Sequence, residues 1–131
     1  MATLLPVTLS TAAGAALLTI WLGVRIVVLR RRHGVAFGDG GNPQLLARMR
    51  AQANFTEYTT PFVLLVLPVE LAQGGSAGLW AAALGFLAFR VVHAFGMDRP
   101  APNPFRIVGQ VGTWTLLGGL ALYAIWIASA G

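Results

Sequence analysis

The residues with the clearest chemical potential lie in the stretch RMRAQANFTEYTTPF, positions 48–62, which leads directly into the apolar run VLLVLPVELA. Arg50, Asn54 and Glu57 are spaced i, i+4 and i+7, so they share one face of a helix. Because polar groups are costly in lipid, that face must be directed towards protein or a water-filled cleft. Two interpretations are open at this point: the polar side chains hold membrane helices together, or they bind a ligand.

A second polar group lies nearer the C-terminus. Arg90, His93 and Met97 are spaced i, i+3 and i+7, and Arg106 and Gln110 are one helical turn apart. Any one of these arginines alone is typical of a residue that orients a membrane protein. We expect Arg90 and Arg106 to meet the first group at the same membrane face, which predicts a basic pocket with one buried acid.

The chemistry of such a pocket suits an amphipathic anion that also carries an amine. Arginine binds carboxylates through two parallel hydrogen bonds, and a buried glutamate can pair with an ammonium group. A thiol beside an arginine has a lowered pKa and is therefore a better nucleophile at neutral pH. Glutathione, with its carboxylates, its amine and its thiol, has this combination of groups.

The composition defines the elements that must position these residues. Of the 131 residues, 56% are hydrophobic and only 10% are charged, and the mean hydropathy of +0.72 is typical of an integral membrane protein. Since a span needs about 20 residues, the chain has room for four transmembrane helices and short loops. We therefore predict one domain, residues 1–131, with helices at about 4–29, 43–71, 77–95 and 104–128 in an all-α four-helix bundle.

Several kinds of site are excluded or disfavoured by the composition. Cysteine is absent, so the chain has no disulfide and no thiol nucleophile of its own. His33 and His93 are the only histidines, and neither belongs to a known metal-ligand spacing, so we expect no metal. The net charge of +5, in a chain this apolar, indicates membrane orientation rather than a nucleic-acid partner.

The distribution of arginine predicts the orientation in the membrane. All arginines except Arg25 lie in or beside the first and third loops, and neither the second loop nor the termini have one. The positive-inside rule places loops one and three in the cytoplasm and both termini outside. Near the end of the first span, Arg25 is expected to extend towards the lipid headgroups. An arginine-only composition rich in Ala and Gly fits a GC-rich bacterium, so we expect a bacterial inner membrane.

The sequence resembles the MAPEG family, the membrane-associated proteins in eicosanoid and glutathione metabolism, which include the microsomal glutathione transferases. The resemblance centres on RAQANFTEY, residues 50–58, which is similar to the family's helix-two signature of Arg, Ala, Asn and Glu-Tyr. It extends to the four-span layout, the arginine-rich first loop and an arginine at the start of helix four. The pattern is closer to that of bacterial members.

The resemblance implies a homotrimer of four-helix subunits in membrane lipid, with glutathione as co-substrate bound between neighbouring subunits near the cytoplasmic face. The residues that it implies as glutathione-binding are Arg30 of the first-loop cluster, Arg50, Asn54, Glu57, Tyr58, Arg90 and His93. His93 stands where family enzymes often have a tyrosine. As the catalytic residue that stabilises the thiolate, the resemblance implies Arg106, with Arg99 as its substitute if the third loop is aligned differently.

Three functions remain open. The first, which we favour, is a glutathione-dependent transferase or peroxidase that acts on lipophilic small-molecule electrophiles, held against an apolar wall beside Phe55, Trp114 and Leu117. The second is a non-catalytic membrane trimer that binds an anionic lipid or a thiol. The third is a small proton-coupled transporter that uses Glu57 as its intramembrane carboxylate, although the nearby arginines would repel cationic drugs.

Overall fold

Each helix begins at a signal that is present in the sequence. Proline lies at the start of three helices, where its missing N–H would have no partner in any case. Asn42, Ser76 and Asn103 each precede a helix and accept hydrogen bonds from its first turn. The helices are α1 (Pro6–His33), α2 (Pro43–Gln73), α3 (Ala77–Met97) and α4 (Pro104–Ala130).

The computed structural model describes residues 4–131, so residues 1–3 of the predicted domain lie outside it. All four helices have the length and apolar composition to cross a membrane, and residues 4–131 contain no β-strand. The protein is thus an integral membrane protein with an all-α four-helix fold, as its composition predicts. Short loops connect helices of alternating direction, so loops 34–42 and 98–103 lie at one end of the bundle, which we call the arginine end.

The first helix is longer than the sequence pattern predicts. The predicted end near residue 29 is wrong, because α1 continues to His33 and includes the arginine cluster. Arginine is a good helix former, and the helix stops only at Gly34, whose left-handed conformation (φ 66°) lets its N–H bond to the Arg30 carbonyl. Arg30 therefore lies on a helix and not in a flexible loop.

The two middle helices form the centre of the bundle. α2 and α3 each contact the three other helices, whereas α1 and α4 make no direct contact within residues 4–131. Phe62 of α2 and Phe86 of α3 stack with ring centroids 3.8 Å apart, and both side chains are fully buried. Phe55 is also buried, together with Ala15 and Leu22 of α1. The prediction that Phe55 forms a wall for a substrate is wrong, because its side chain fills this core.

Glycine lets α3 and α4 approach until their backbones touch. A Cβ atom on Gly109 would lie 2.6 Å from the backbone nitrogen of His93, and one on Gly112 would lie 2.5 Å from the Phe89 ring. One on Gly96 would overlap the backbone of Arg106. Because real Cβ atoms cannot be this close, the three glycines fix both the distance and the register of the two helices.

At the opposite end of the bundle, Glu70 takes the place of a helix cap. Leu5, the residue before α1, cannot cap the helix with its side chain, so the first N–H groups of α1 need another acceptor. The buried Glu70 carboxylate accepts from Val7 N–H at 2.9 Å and from Thr8 N–H at 2.7 Å. Its negative charge also faces the positive end of the helix dipole. Glu70 therefore fastens the start of α1 to the end of α2.

We expect Glu70→Gln to destabilise the protein by about 1–3 kcal/mol, because one buried N–H would face an amide donor instead of a carboxylate oxygen. Glu57→Gln is the matched control on the same helix, since the Glu57 side chain is exposed. Thermal unfolding in detergent, followed by circular dichroism, measures both. Equal melting temperatures for the two variants would contradict this role of Glu70.

The glycine contacts predict opposite effects for the same substitution on α4. Gly109→Ala forces the helices apart and should cost about 1–3 kcal/mol of stability. Gly118→Ala meets no atom within 4 Å and should gain up to about 1 kcal/mol from the better helix propensity of alanine. Denaturation in detergent measures the free energy of unfolding of the two variants. A Gly109→Ala protein as stable as the parent would show that the close approach is not required.

Candidate anion-binding site

An ion-pair network holds the arginine end together. Asp98, the first residue after α3, pairs with Arg25 of α1 and with Arg48 of α2, the latter at 3.1 Å. The Arg48 guanidinium also donates to the Arg25 carbonyl at 2.9 Å. The expectation that Arg25 extends towards the headgroups is wrong, because its guanidinium lies over the Trp21 ring at 4.7 Å and its side chain is only 11% exposed. The network thus fixes the end of α3 against α1 and α2.

A polar cavity of about 240 Å³ opens between α2, α3 and α4 near this end. Its lining contains Arg50, Asn54 and Tyr58 from α2, His93 and Met97 from α3, and Arg106, Gln110 and Trp114 from α4. Five of the residues predicted to act at the site therefore meet here, although they come from three separate helices. Both arginines are exposed, which leaves their guanidinium groups accessible to a ligand.

Arg90 lies beneath this cavity and does not line it. Its side chain is buried, and its guanidinium donates to Asn54 Oδ1 at 2.5 Å, to His93 Nδ1 at 3.2 Å and to Thr113 Oγ1 at 3.1 Å. These acceptors belong to α2, α3 and α4, so one guanidinium connects all three helices. None of them is a carboxylate. Arg90 thus acts on the cavity through the side chains that it holds.

The Arg90 hydrogen bonds determine which atoms the cavity can offer to a ligand. Arginine can only donate, so the Nδ1 atom of His93 must accept, and a neutral His93 carries its proton on Nε2. Since the Asn54 oxygen already accepts from Arg90, its NH₂ group is the part left for a ligand. On α4, the Gln110 Nε2 group is buried and has no partner within residues 4–131. Together with Arg50 and Arg106, these groups form a set of donors.

The cavity therefore has the chemistry of an anion-binding site. The residues that line it include two arginines and no acid. Donors in a partly enclosed site bind a carboxylate, thiolate or phosphate more strongly than the same donors in water. The α4 dipole adds to the attraction for an anion, because Arg106 lies in the first turn of α4, where the helix dipole is positive.

Arg30 and Glu57 lie in a different place from the other predicted residues. They line an outer groove of about 930 Å³ between α1 and α2, which also contains Gln52, Thr56 and Thr60. Successive residues of a helix are about 100° apart, so Glu57 and Tyr58 lie on opposite sides of Asn54. Within one chain, the structure therefore does not bring the acid into the basic cavity, in contrast to the single pocket that the sequence suggests.

Arg99, the alternative to Arg106, does not reach the cavity. Its guanidinium lies over the Phe105 ring, 4.0 Å from the centroid, on the exposed surface of the third loop. Sequence reasoning missed Thr113 as a partner of Arg90, although a signal was present. Arg106, Gln110 and Thr113 have the spacing i, i+4 and i+7, the same as Arg50, Asn54 and Glu57 on α2. Extending the polar face of α4 by one turn would have found it.

Comparisons with known proteins agree with this architecture. Residues 8–126 match the model of the MAPEG family. The chain is 29% identical to the inner membrane protein YecN of Escherichia coli strain K12 over 112 residues, which cover 86% of this chain and 85% of that protein. YecN of Escherichia coli O6:H1, strain CFT073, matches to the same extent. No solved structure matches the chain. Since the family match covers nearly the whole chain, this protein belongs to the MAPEG family.

Proposed function

We propose that this protein is a glutathione-dependent transferase or peroxidase that acts on lipophilic electrophiles within the membrane. The observation that carries the proposal is the cavity lined by donors, with Arg50 and Arg106 both accessible and no acid among its lining residues. Membership of a family named for glutathione and eicosanoid metabolism supports it. Glutathione supplies the anionic groups that such a cavity binds.

Arg106 is the residue that stabilises the glutathione thiolate in this proposal. Within residues 4–131 its guanidinium has no hydrogen bond and no ion pair, so it is available to a ligand. A cation in the first turn of a helix is unfavourable by about 0.3–1 kcal/mol, and a bound anion removes this cost. The combined field of the guanidinium and the helix dipole lowers the pKa of a nearby thiol, which raises the fraction of nucleophilic thiolate.

A lipophilic substrate has its own cavity beside this position. A mostly apolar cavity of about 350 Å³ is lined by Pro102, Ile107 and Val111 and shares Arg106, Gln110 and Trp114 with the polar one. A thiolate at Arg106 would thus face an electrophile held on α4. Of the residues predicted to form an apolar wall for the substrate, Trp114 lines this cavity, whereas Leu117 packs against the core around Phe62.

The chemistry at this junction is thiolate attack. In conjugation, a carbon–sulfur bond forms between glutathione and the electrophilic carbon, and the leaving group departs with the electron pair of the bond that breaks. Reduction of a peroxide begins with the same thiolate. The protein's contribution in both cases is to ionise the thiol and to hold the two reactants together.

The glutathione amine requires an acid, and Glu57 lies in the outer groove. We therefore place the binding site between subunits of a homotrimer, where Glu57 of one chain complements the donor-lined cavity of its neighbour. The polarity of the outer groove supports this arrangement. Thr56 and Thr60 donate to carbonyls of their own helix, at 3.2 and 2.9 Å, and can face lipid, but Gln52 and Glu57 need polar partners from elsewhere.

The proposed orientation places loops one and three in the cytoplasm and both termini on the outer side. The arginine end then lies at the membrane face with the reduced glutathione pool. Family membership and the inner-membrane relative are consistent with a bacterial inner membrane. Anionic lipid headgroups use the same donors as glutathione, so a non-catalytic lipid-binding trimer is the alternative outcome of the experiment below.

Two arginine substitutions test the proposal. Arg106→Ala should remove the ultraviolet absorbance of bound thiolate at neutral pH and lower kcat by about a hundred-fold, because one stabilising group of the reacting anion is lost. Arg50→Ala should weaken glutathione binding by about ten-fold with a smaller effect on kcat. Arg31→Ala removes an equal charge from the exposed end of α1 and serves as the control.

Difference spectra of glutathione added to the purified protein in detergent, with calorimetric titration, measure these quantities. A thiolate band that persists in Arg106→Ala would show that Arg106 is not the stabilising residue. If the folded parent protein neither binds glutathione nor gives a thiolate band, the proposed function is wrong. A retained anionic phospholipid in mass spectra would then favour the lipid-binding trimer.

A further inference from the structure

The side chain of Asn103 connects three backbone groups at the junction of α3 and α4. Its Oδ1 atom accepts from the Arg106 N–H at 3.0 Å. Its Nδ2 group donates to the Gly96 carbonyl at 2.9 Å and to the Pro100 carbonyl at 3.1 Å. One amide thus links the end of α3, the middle of the loop and the first turn of α4.

At the other Asn-Pro helix start in this chain, the asparagine side chain makes fewer kinds of hydrogen bond. Asn42 accepts from Gln44 N–H at 2.9 Å and from Leu45 N–H at 3.1 Å, which is ordinary capping of α2. Within residues 4–131, the side-chain NH₂ group of Asn42 donates no hydrogen bond, and the backbone N–H of Asn42 bonds only within its own loop, to the Asp39 carbonyl. The two asparagines share a sequence motif, but only Asn103 connects its helix to the preceding one.

Asn103 matters at this junction because the backbone of the loop makes few hydrogen bonds of its own. Pro100 and Pro102 lack an N–H group, and the N–H groups of Asp98 and Arg99 reach carbonyls of α3 only at 3.3 Å. The Gly96 carbonyl accepts from both Arg99 and Asn103, and the bond from Asn103 is the shorter. The hydrogen bonds of the asparagine side chain are therefore shorter than the backbone hydrogen bonds that Asp98 and Arg99 make in this turn.

The backbone of Arg106 is held from two sides. Gly96 packs against it so closely that no Cβ atom would fit, and Asn103 accepts from its N–H. The Arg106 side chain itself has no hydrogen bond or ion pair within the described chain, so its own contacts do not fix where the guanidinium lies. Its place in the cavity is set by the backbone from which it extends.

We propose that Asn103 is a positioning residue for Arg106. By joining the Gly96 carbonyl to the Arg106 N–H, it fixes the position of the first turn of α4 along the axis of α3. It thereby keeps the Arg106 guanidinium at the junction of the polar and apolar cavities. The consequence for thiolate formation rests on the proposed function, whereas the effect on the position of α4 does not.

Asn103→Ser separates positioning from capping. Serine caps a helix about as well as asparagine, so the bond from Arg106 N–H is kept, but the donor to Gly96 and Pro100 is lost. Asn42→Ser is the matched control, since it makes the same change at the other Asn-Pro start. We expect Asn103→Ser to raise the pH midpoint of glutathione thiolate formation by about one unit, while the dissociation constant of glutathione at low pH changes by less than about three-fold.

A distance measurement tests the same proposal without glutathione. The chain has no cysteine, so spin labels at Leu84→Cys on α3 and Ile107→Cys on α4, both exposed positions, report the position of the first turn of α4. Labelled chains are diluted with unlabelled ones to suppress distances between subunits. We expect a broader distance distribution in Asn103→Ser and an unchanged one in Asn42→Ser.

The outcomes separate the two proposals. Broadening that is specific to Asn103→Ser, in a protein that does not bind glutathione, would support the positioning role and refute the proposed function. A parent protein that forms the thiolate, with Asn103→Ser unchanged in both midpoint and distance, would refute the positioning role alone. Equal changes in Asn42→Ser and Asn103→Ser would also refute it, because they would reflect capping in general.

Discussion

The buried guanidinium of Arg90 is the group on which the candidate site depends. A cation inside a membrane bundle is costly unless it is well hydrogen-bonded, and Arg90 bonds only to the neutral acceptors of Asn54, His93 and Thr113. Its Nε group has no partner within residues 4–131. This arrangement joins α2, α3 and α4, and residues 4–131 supply no carboxylate as a counter-ion for the Arg90 charge beneath the cavity. It also leaves the NH₂ group of Asn54 and the Nε2 atom of His93 without a bond to Arg90.

The four acids show how the chain divides structural from functional tasks. Asp39 accepts from Gly41 N–H inside the first loop, Glu70 caps α1, and Asp98 pairs with Arg25 and Arg48. Only Glu57 has no such contact within residues 4–131. A carboxylate that is accessible in the span of a membrane protein needs a partner that the single chain does not supply. The proposal that Glu57 pairs with a ligand amine at a subunit boundary rests on this contrast.

The positions of the Arg50 and Arg106 side chains are set by the packing of the helices that carry them, because neither guanidinium group has a hydrogen bond of its own within residues 4–131. Gly109 brings His93 against α4, Gly96 brings Arg106 against α3, and Asp98 holds the end of α3 against the first two helices. The Arg50 and Arg106 guanidinium groups remain accessible because the scaffold carries them. This is the arrangement expected of a site that must exchange its ligand while its geometry is kept.

The sequence by itself determined the membrane class, the four helices and most of their boundaries, because apolar runs of spanning length and Asn-Pro helix starts are local signals. It also predicted that Arg50, Asn54, Tyr58, His93 and Arg106 belong to one site, and the structure brings these five residues to one cavity, although their role in binding stays a prediction. Only the tertiary structure decided that Arg90 lies beneath the cavity, that Glu57 faces a separate groove, and that Arg25 pairs with Asp98. Those outcomes depend on how far each helix is rotated about its axis and how close its neighbour comes. Rotation and distance are set by contacts between residues far apart in the chain, such as Gly109 with His93, which no local pattern contains.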